Sequence, residues 1–182
     1  LAPDGNLIAA GLIDGSCRVV DSAGDGFALV GPRALGPVTE LVWSRNQGQL
    51  ALSYEEGAIL VAGVESGATT RLPWSGTGIR SLAFHGPDGA LLAGGYEGRL
   101  HRFRAGGVLP VRRFEHPLRG GAPRIQWAAA GGRVLLGRST GEGRIHDAAS
   151  GALIVEVEGH LSPDGERLLR LDEERIVLSQ VG

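Results

Sequence analysis

The stretch FHGPDGALLAGGYEGRLHRFR, Phe84 to Arg104, alternates short apolar runs with turns. Pro87-Asp88-Gly89 makes the first turn and Glu97-Gly98 the second. Leu91-Leu92-Ala93-Gly94 lies between them, and Arg99 to Phe103 follows. Runs this short, bounded by Gly and Asp, read as β-strands closed into hairpins.

The same unit recurs along the chain. The first turn reappears as Pro3-Asp4-Gly5, Asn46-Gln47-Gly48, Ala129-Ala130-Gly131 and Pro163-Asp164-Gly165. Its first four glycines are 43, 41 and 42 residues apart. The second turn is Asp14-Gly15, Glu56-Gly57, Glu97-Gly98 and Thr140-Gly141, and a third turn glycine follows at Gly24, Gly67, Gly107 and Gly151. Val38–Trp43 and Ile79–Phe84 fill the slot before the first turn. No segment carries a sustained apolar stripe at helical spacing, so no helix is expected. Four hairpin-linked strands in each ~42 residues match one blade of a β-propeller. The expected fold is all-β: a propeller of four-stranded blades, about four to five in this chain and part of a larger ring. The units run over 1–36, 37–78, 79–122, 123–160 and an incomplete 161–182, all one domain.

Composition agrees. The 182 residues include 31 Gly and 9 Pro, with 21% charged residues and a net charge of −2, as in a turn-rich folded domain. A nearly neutral balance argues against nucleic-acid binding by bulk electrostatics. Cys17 is the single cysteine, which excludes an intrachain disulfide framework and a thiolate metal site. The five His never reach metal-ligand spacing with Asp or Glu on one element. No cofactor or metal is expected, and no apolar run is long enough for a membrane helix. All 18 basic residues are Arg, which fits GC-rich codon usage and a bacterial source. A chain that opens on Leu1 is expected to be a fragment or a processed product; the compartment expected is cytoplasmic.

With LAPDGNLIAAGLIDGSCRVVD (1–21) and GRSTGEGRIHDAASGALIVEVEGH (137–160), the pattern resembles the WD40 repeat family. The likeness covers nearly the whole chain and lies in its spacing. At the family's W-D site this sequence has Val20-Asp21, Ala62-Gly63, Phe103-Arg104, His146-Asp147 and Ser179-Gln180, so no unit keeps the Trp. The family's hydrogen-bonded tetrad also needs an Asp in the second turn, which survives at Asp14 alone. The resemblance implies blades held mainly by packing. It assigns His116 and His160 to the tetrad His, bonded within a blade.

Gly137-Arg138-Ser139-Thr140-Gly141 matches G-x-S-x-G, the pattern of a hydrolase nucleophile elbow. An elbow must run into a helix, whereas a strand, Arg144-Ile145-His146, follows here. Gly141 is the turn glycine that the repeat requires. His146 and Asp147 occupy the W-D site and, as neighbours on a strand, point to opposite faces. Repeat geometry therefore accounts for Ser139, and no catalytic residue is assigned.

Trp43, Phe84 and Trp127 end innermost strands, where bulky groups fill the wedge between blades. The innermost strands also offer Glu40, Arg80, Arg124 and Gln126, too poor a set for catalysis. Trp74 instead lies in a loop between an outer strand and the next inner strand, where it could anchor a partner or cap the blade edge. Arg33, His116 and Arg119 occupy the equivalent loops. The resemblance makes this rim, Arg33, Trp74, His116 and Arg119, the expected surface for a protein or peptide partner or for other domains of the same protein. Neither a nucleic acid nor a membrane is an expected partner. The expected function is a non-catalytic scaffold or sensor module of a larger signalling, regulatory or defence protein. A propeller hydrolase or lyase with a central-channel site, and a structural self-assembly module, are the alternatives.

One spacing breaks the pattern. Arg33, Trp74 and His116 each lie 15 residues before the next first-turn Gly, but His160 lies only 5 before Gly165. The loop and innermost strand of the fifth unit are expected to be missing, with a break near His160–Leu161 or a strand supplied from outside to complete the ring.

Overall fold

The computed structural model describes residues 1–21, 23–29, 35–46, 48–74, 78–85, 89–95, 99–104, 110–115, 124–128, 133–137, 142–147, 150, 152–161, 167–172 and 175–180. Among these there is no α-helix. The strands of the described residues form five antiparallel meanders.

The first sheet has three strands, β1 (Leu7–Gly11), β2 (Cys17–Asp21) and β3 (Gly26–Leu29). The second has four: β4 (Val38–Trp43), β5 (Gln49–Tyr54), β6 (Ile59–Gly63) and β7 (Thr69–Leu72). The third comprises β8 (Ile79–His85), β9 (Ala90–Gly95), β10 (Arg99–Phe103) and β11 (Pro110–Glu115). The fourth comprises β12 (Arg124–Ala128), β13 (Arg133–Gly137), β14 (Glu142–Asp147) and β15 (Leu153–Glu158). The fifth has β16 (His160–Leu161), β17 (Arg167–Asp172) and β18 (Arg175–Gln180).

The leading strands β1, β4, β8, β12 and β16 lie beside one another in that order, so the sheets stack radially as propeller blades. Tight hairpins make this possible. In the second sheet Gly57 donates to the Tyr54 carbonyl at 2.9 Å with φ 85°, a backbone state that disfavours any side chain. Gly15 repeats this in the first sheet with φ 83°. Asp and Ser side chains complete the turns: Asp14 accepts from the Ser16 amide at 2.9 Å, and Ser44 accepts from the Gln49 amide at 2.9 Å.

Packing lies between sheets. Leu50, Leu52, Leu60 and Ala62 face the first sheet, where Cys17 and Val19 meet them. Ala51 and Ile59 face the other way, onto Leu82, Leu91 and Phe103 of the third sheet. Strand alternation thus feeds two cores from one sheet. Trp43 packs at the edge of the first core and Phe84 at the edge of the second, both partly buried as a wedge filler should be. The side chain of Trp127 lies outside the described residues.

The fifth sheet corrects one expectation. The innermost strand is present but shortened to two residues, pairing His160 with Leu169 and Leu161 with Leu168. Gly159 makes the direct step from β15 with φ 134°, and a Cβ there would strike the Leu169 carbonyl oxygen. The shortening is what the ten-residue deficit requires. A second correction concerns His160, which stands exposed rather than enclosed within a blade. On a two-residue strand it has no loop to fold it back into a blade.

Candidate functional site

A four-stranded meander places its outer-to-inner loop and its second turn at one end, and its first and third turns at the other. The loop end carries the rim expected to bind a partner. Of its four residues, Arg33, His116 and Arg119 lie outside the described residues, as does Ser139. Trp74 is described, and it is half-buried. Its six-membered ring lies over Gly95, where an added Cβ would stand 2.5 Å from Trp74 Cζ2. Its ring centroid is 4.6 Å from that of His101 at 44°, and His101 lies 6.2 Å from Phe103. The indole N–H is buried with no acceptor among the described residues.

Trp74, His101 and Phe103 thus form a column down the interface between the second and third sheets. His101 and Phe103 are alternate residues of β10 and so share a face. Trp74 closes the loop end of this interface, the blade-edge position that its loop allowed. The sequence held a signal for this arrangement. Gly95 stands where the second unit has Tyr54, and a glycine inside a strand marks a close approach by another group. In the second unit Tyr54 fills the slot itself.

Tyr54 and Cys17 face each other in the first core, both fully buried. Burial pushes the Cys17 thiol up to about 11, opposed by a backbone hydrogen bond with Ala10. Burial, and then the neighbouring Cys17, push the Tyr54 phenol up to about 12. A thiol held neutral in this way is a poor nucleophile.

Other groups capable of chemistry hold the frame together. Glu40 on β4 accepts from the backbone N–H of Leu82 on β8 at 2.7 Å, linking adjacent innermost strands. Thr39 Oγ1 and the buried Ser53 Oγ lie 2.9 Å apart. Asp21 accepts from the Ala23 and Asp25 amides, each at 2.9 Å, and Asp147 accepts from the Ser150 amide at 2.6 Å. These two W-D-site carboxylates therefore cap third turns. His146, beside Asp147, is buried. Among the described residues no three His, Cys, Asp or Glu side chains converge as a metal site, and no helix is long and apolar enough to cross a membrane.

No protein-family model matches the chain, and no curated protein matches it. Solved structures do match. A chain of the crystal structure of a mitotic checkpoint complex superposes with a TM-score of 0.77 at 16% identity, covering 92% of this chain. The match spans 56% of that chain's length. At this identity the likeness is one of fold, and it agrees with the five radial meanders in giving the molecule a β-propeller architecture.

Proposed function

We propose that this chain is a non-catalytic propeller module of the WD40 repeat type that binds a protein or peptide through its loop-end rim. It serves as a scaffold or sensor part of a larger bacterial, cytoplasmic protein, and sheets outside these five complete its ring. One observation carries the reading: four described side chains capable of acid–base chemistry, Asp21, Asp147, Glu40 and Cys17, are spent on the frame. Asp21 and Asp147 cap turns, Glu40 ties one innermost strand to the next, and the Cys17 thiol is buried and neutral. A rigid frame carrying variable loops is a binding architecture. The likeness to a chain of a multiprotein complex agrees with a protein partner. Ring completion is supported by apolar side chains left open on the end sheets, Ile8 at 48% exposure and Leu178 at 61%.

Affinity capture from the source cell tests the rim. The variant with Arg33, Trp74, His116 and Arg119 all changed to Ala should lose the captured protein. Trp74→Ala alone should weaken binding by more than ~1 kcal/mol, as at a hot spot. Because Trp74 also packs on Gly95, Arg33→Ala with Arg119→Ala serves as the variant that leaves this packing intact. Unchanged capture by the quadruple variant rejects the rim. Covalent labelling of Ser139 by a fluorophosphonate would instead restore the hydrolase reading.

A further inference from the structure

At the opposite end of the same two sheets, below Phe103, the interface opens into a cleft of about 200 Å³. Val61 and Leu72 wall it from the second sheet, and Phe84, Leu91 and Phe103 from the third. Gln49, Ser66 and Thr70 add polar groups, and Arg104 is the one ionised side chain among its described lining residues. The volume suits one large apolar side chain and falls below the range of drug-sized pockets.

The repeat explains the charge. Gly63 and Arg104 occupy the W-D-site positions where Asp21 and Asp147 cap their own third turns. The two sheets bounding the cleft are therefore ones in which that carboxylate is gone, replaced by a hydrogen atom and by a guanidinium. In the second sheet Gly67 donates to the Gly63 carbonyl at 2.9 Å, and Ser66 Oγ accepts from the Ala68 amide at 3.2 Å in place of a carboxylate cap. Ser66 packs so closely on Gly63 that a Cβ there would strike its hydroxyl, so Ser66 rather than a W-D-site carboxylate lines the cleft at this point. Arg104 is exposed and makes no ion pair among the described residues.

We propose that this cleft binds an apolar group bearing a carboxylate. The apolar part enters between Phe84, Phe103 and Leu72, where burial drives it, and the carboxylate meets the Arg104 guanidinium. Such a group is either the C-terminal residue of a peptide or a free aryl or alkyl acid. The site is separate from the loop-end rim, and neither depends on the other.

Methyl-resolved NMR of the 182-residue chain tests it with three probes: phenylpropionate, a short peptide ending in Phe with a free carboxylate, and the same peptide as its C-terminal amide. At least one acid should shift the methyls of Val61, Leu72 and Leu91 saturably, and the amide should bind about tenfold more weakly or worse. Arg104→Gln should reduce the acid to the level of the amide while leaving the other methyl positions in place. Binding by phenylpropionate alone identifies a free acid as the ligand class, and binding by the peptide acid alone a chain terminus. Equal binding of acid and amide, or no saturable shift at these methyls by about 10 mM of either acid, overturns the proposal. The acid–amide comparison uses the unaltered chain, so it stands even if Arg104→Gln fails to fold.

Discussion

The second sheet and the fifth are built from the same repeat, yet their burial differs. In β5, Leu50 through Tyr54 are all buried, because one face meets the first sheet and the other the third. In the fifth sheet Leu168 turns inward onto Leu135 and Ile145, while Leu169 and Leu178, directly opposite each other, are 40% and 61% exposed. The first sheet is one-sided in the same way: Leu7 and Ala9 pack on the core and Ile8 between them does not. A blade thus takes its stability from neighbours on both faces, as expected when one repeat cannot bury its own apolar surface.

The largest expected effect tests this contrast directly. Leu50→Ala removes a fully buried side chain and should cost ~2–5 kcal/mol in chemical denaturation. Leu178→Ala should change stability by less than ~0.5 kcal/mol. Similar losses at the two positions would break the comparison.

The next effect sharpens it with pH. The Cys17 thiol is held neutral up to about 11 in the fold, whereas an unfolded chain ionises it near 9.0. The unfolded state therefore releases its proton first as pH rises. The stabilisation is fully present below pH 9.0 and is lost between 9.0 and about 11. The loss is on the order of 2–3 kcal/mol, and Cys17→Ala should flatten that part of the profile. A wild-type profile identical to that of the variant would mean that the first core admits solvent.

Gly95→Ala sets a smaller and more local test. The new methyl competes with the Trp74 ring for one space and should cost ~1–3 kcal/mol. The Trp fluorescence should shift red as the indole moves toward water. In the Trp74→Leu background the same change should cost much less, because the two groups share that space. The smallest effect belongs to the surface. Arg144 and Glu156 pair at 2.6 Å across β14 and β15, but Glu156 is 63% exposed, so Glu156→Ala should alter stability by no more than ~0.5 kcal/mol.

Much of the fold was legible because turns repeat more faithfully than strands. Gly5, Gly48 and Gly89 kept the register, and Val38–Trp43 emerged as β4 with the expected bounds. The fifth unit was legible as a deficit, but not in how the chain would accommodate it. A two-residue strand and the φ of Gly159 depend on contact with Leu169, which lies in a different strand. The candidate sites were less legible. Trp74 was singled out from its loop, yet its fit over Gly95 depends on a residue 21 positions away in the next sheet. The cleft is lined from two sheets by Val61, Leu72, Phe84 and Phe103, and no motif marks residues that meet only in the fold. Strand alternation set Asp147 aside as a catalytic partner, but only the folded turn shows that its carboxylate holds the Ser150 amide.

Native-state hydrogen exchange, resolved strand by strand, tests most directly the claim that each sheet depends on the neighbours on both its faces. The amides of β5 and β9, in sheets covered on both sides, should exchange slowest, and those of β1 and β18 should open through low-energy local events. Protection of β1 and β18 equal to that of β5 and β9 in the isolated chain would contradict it.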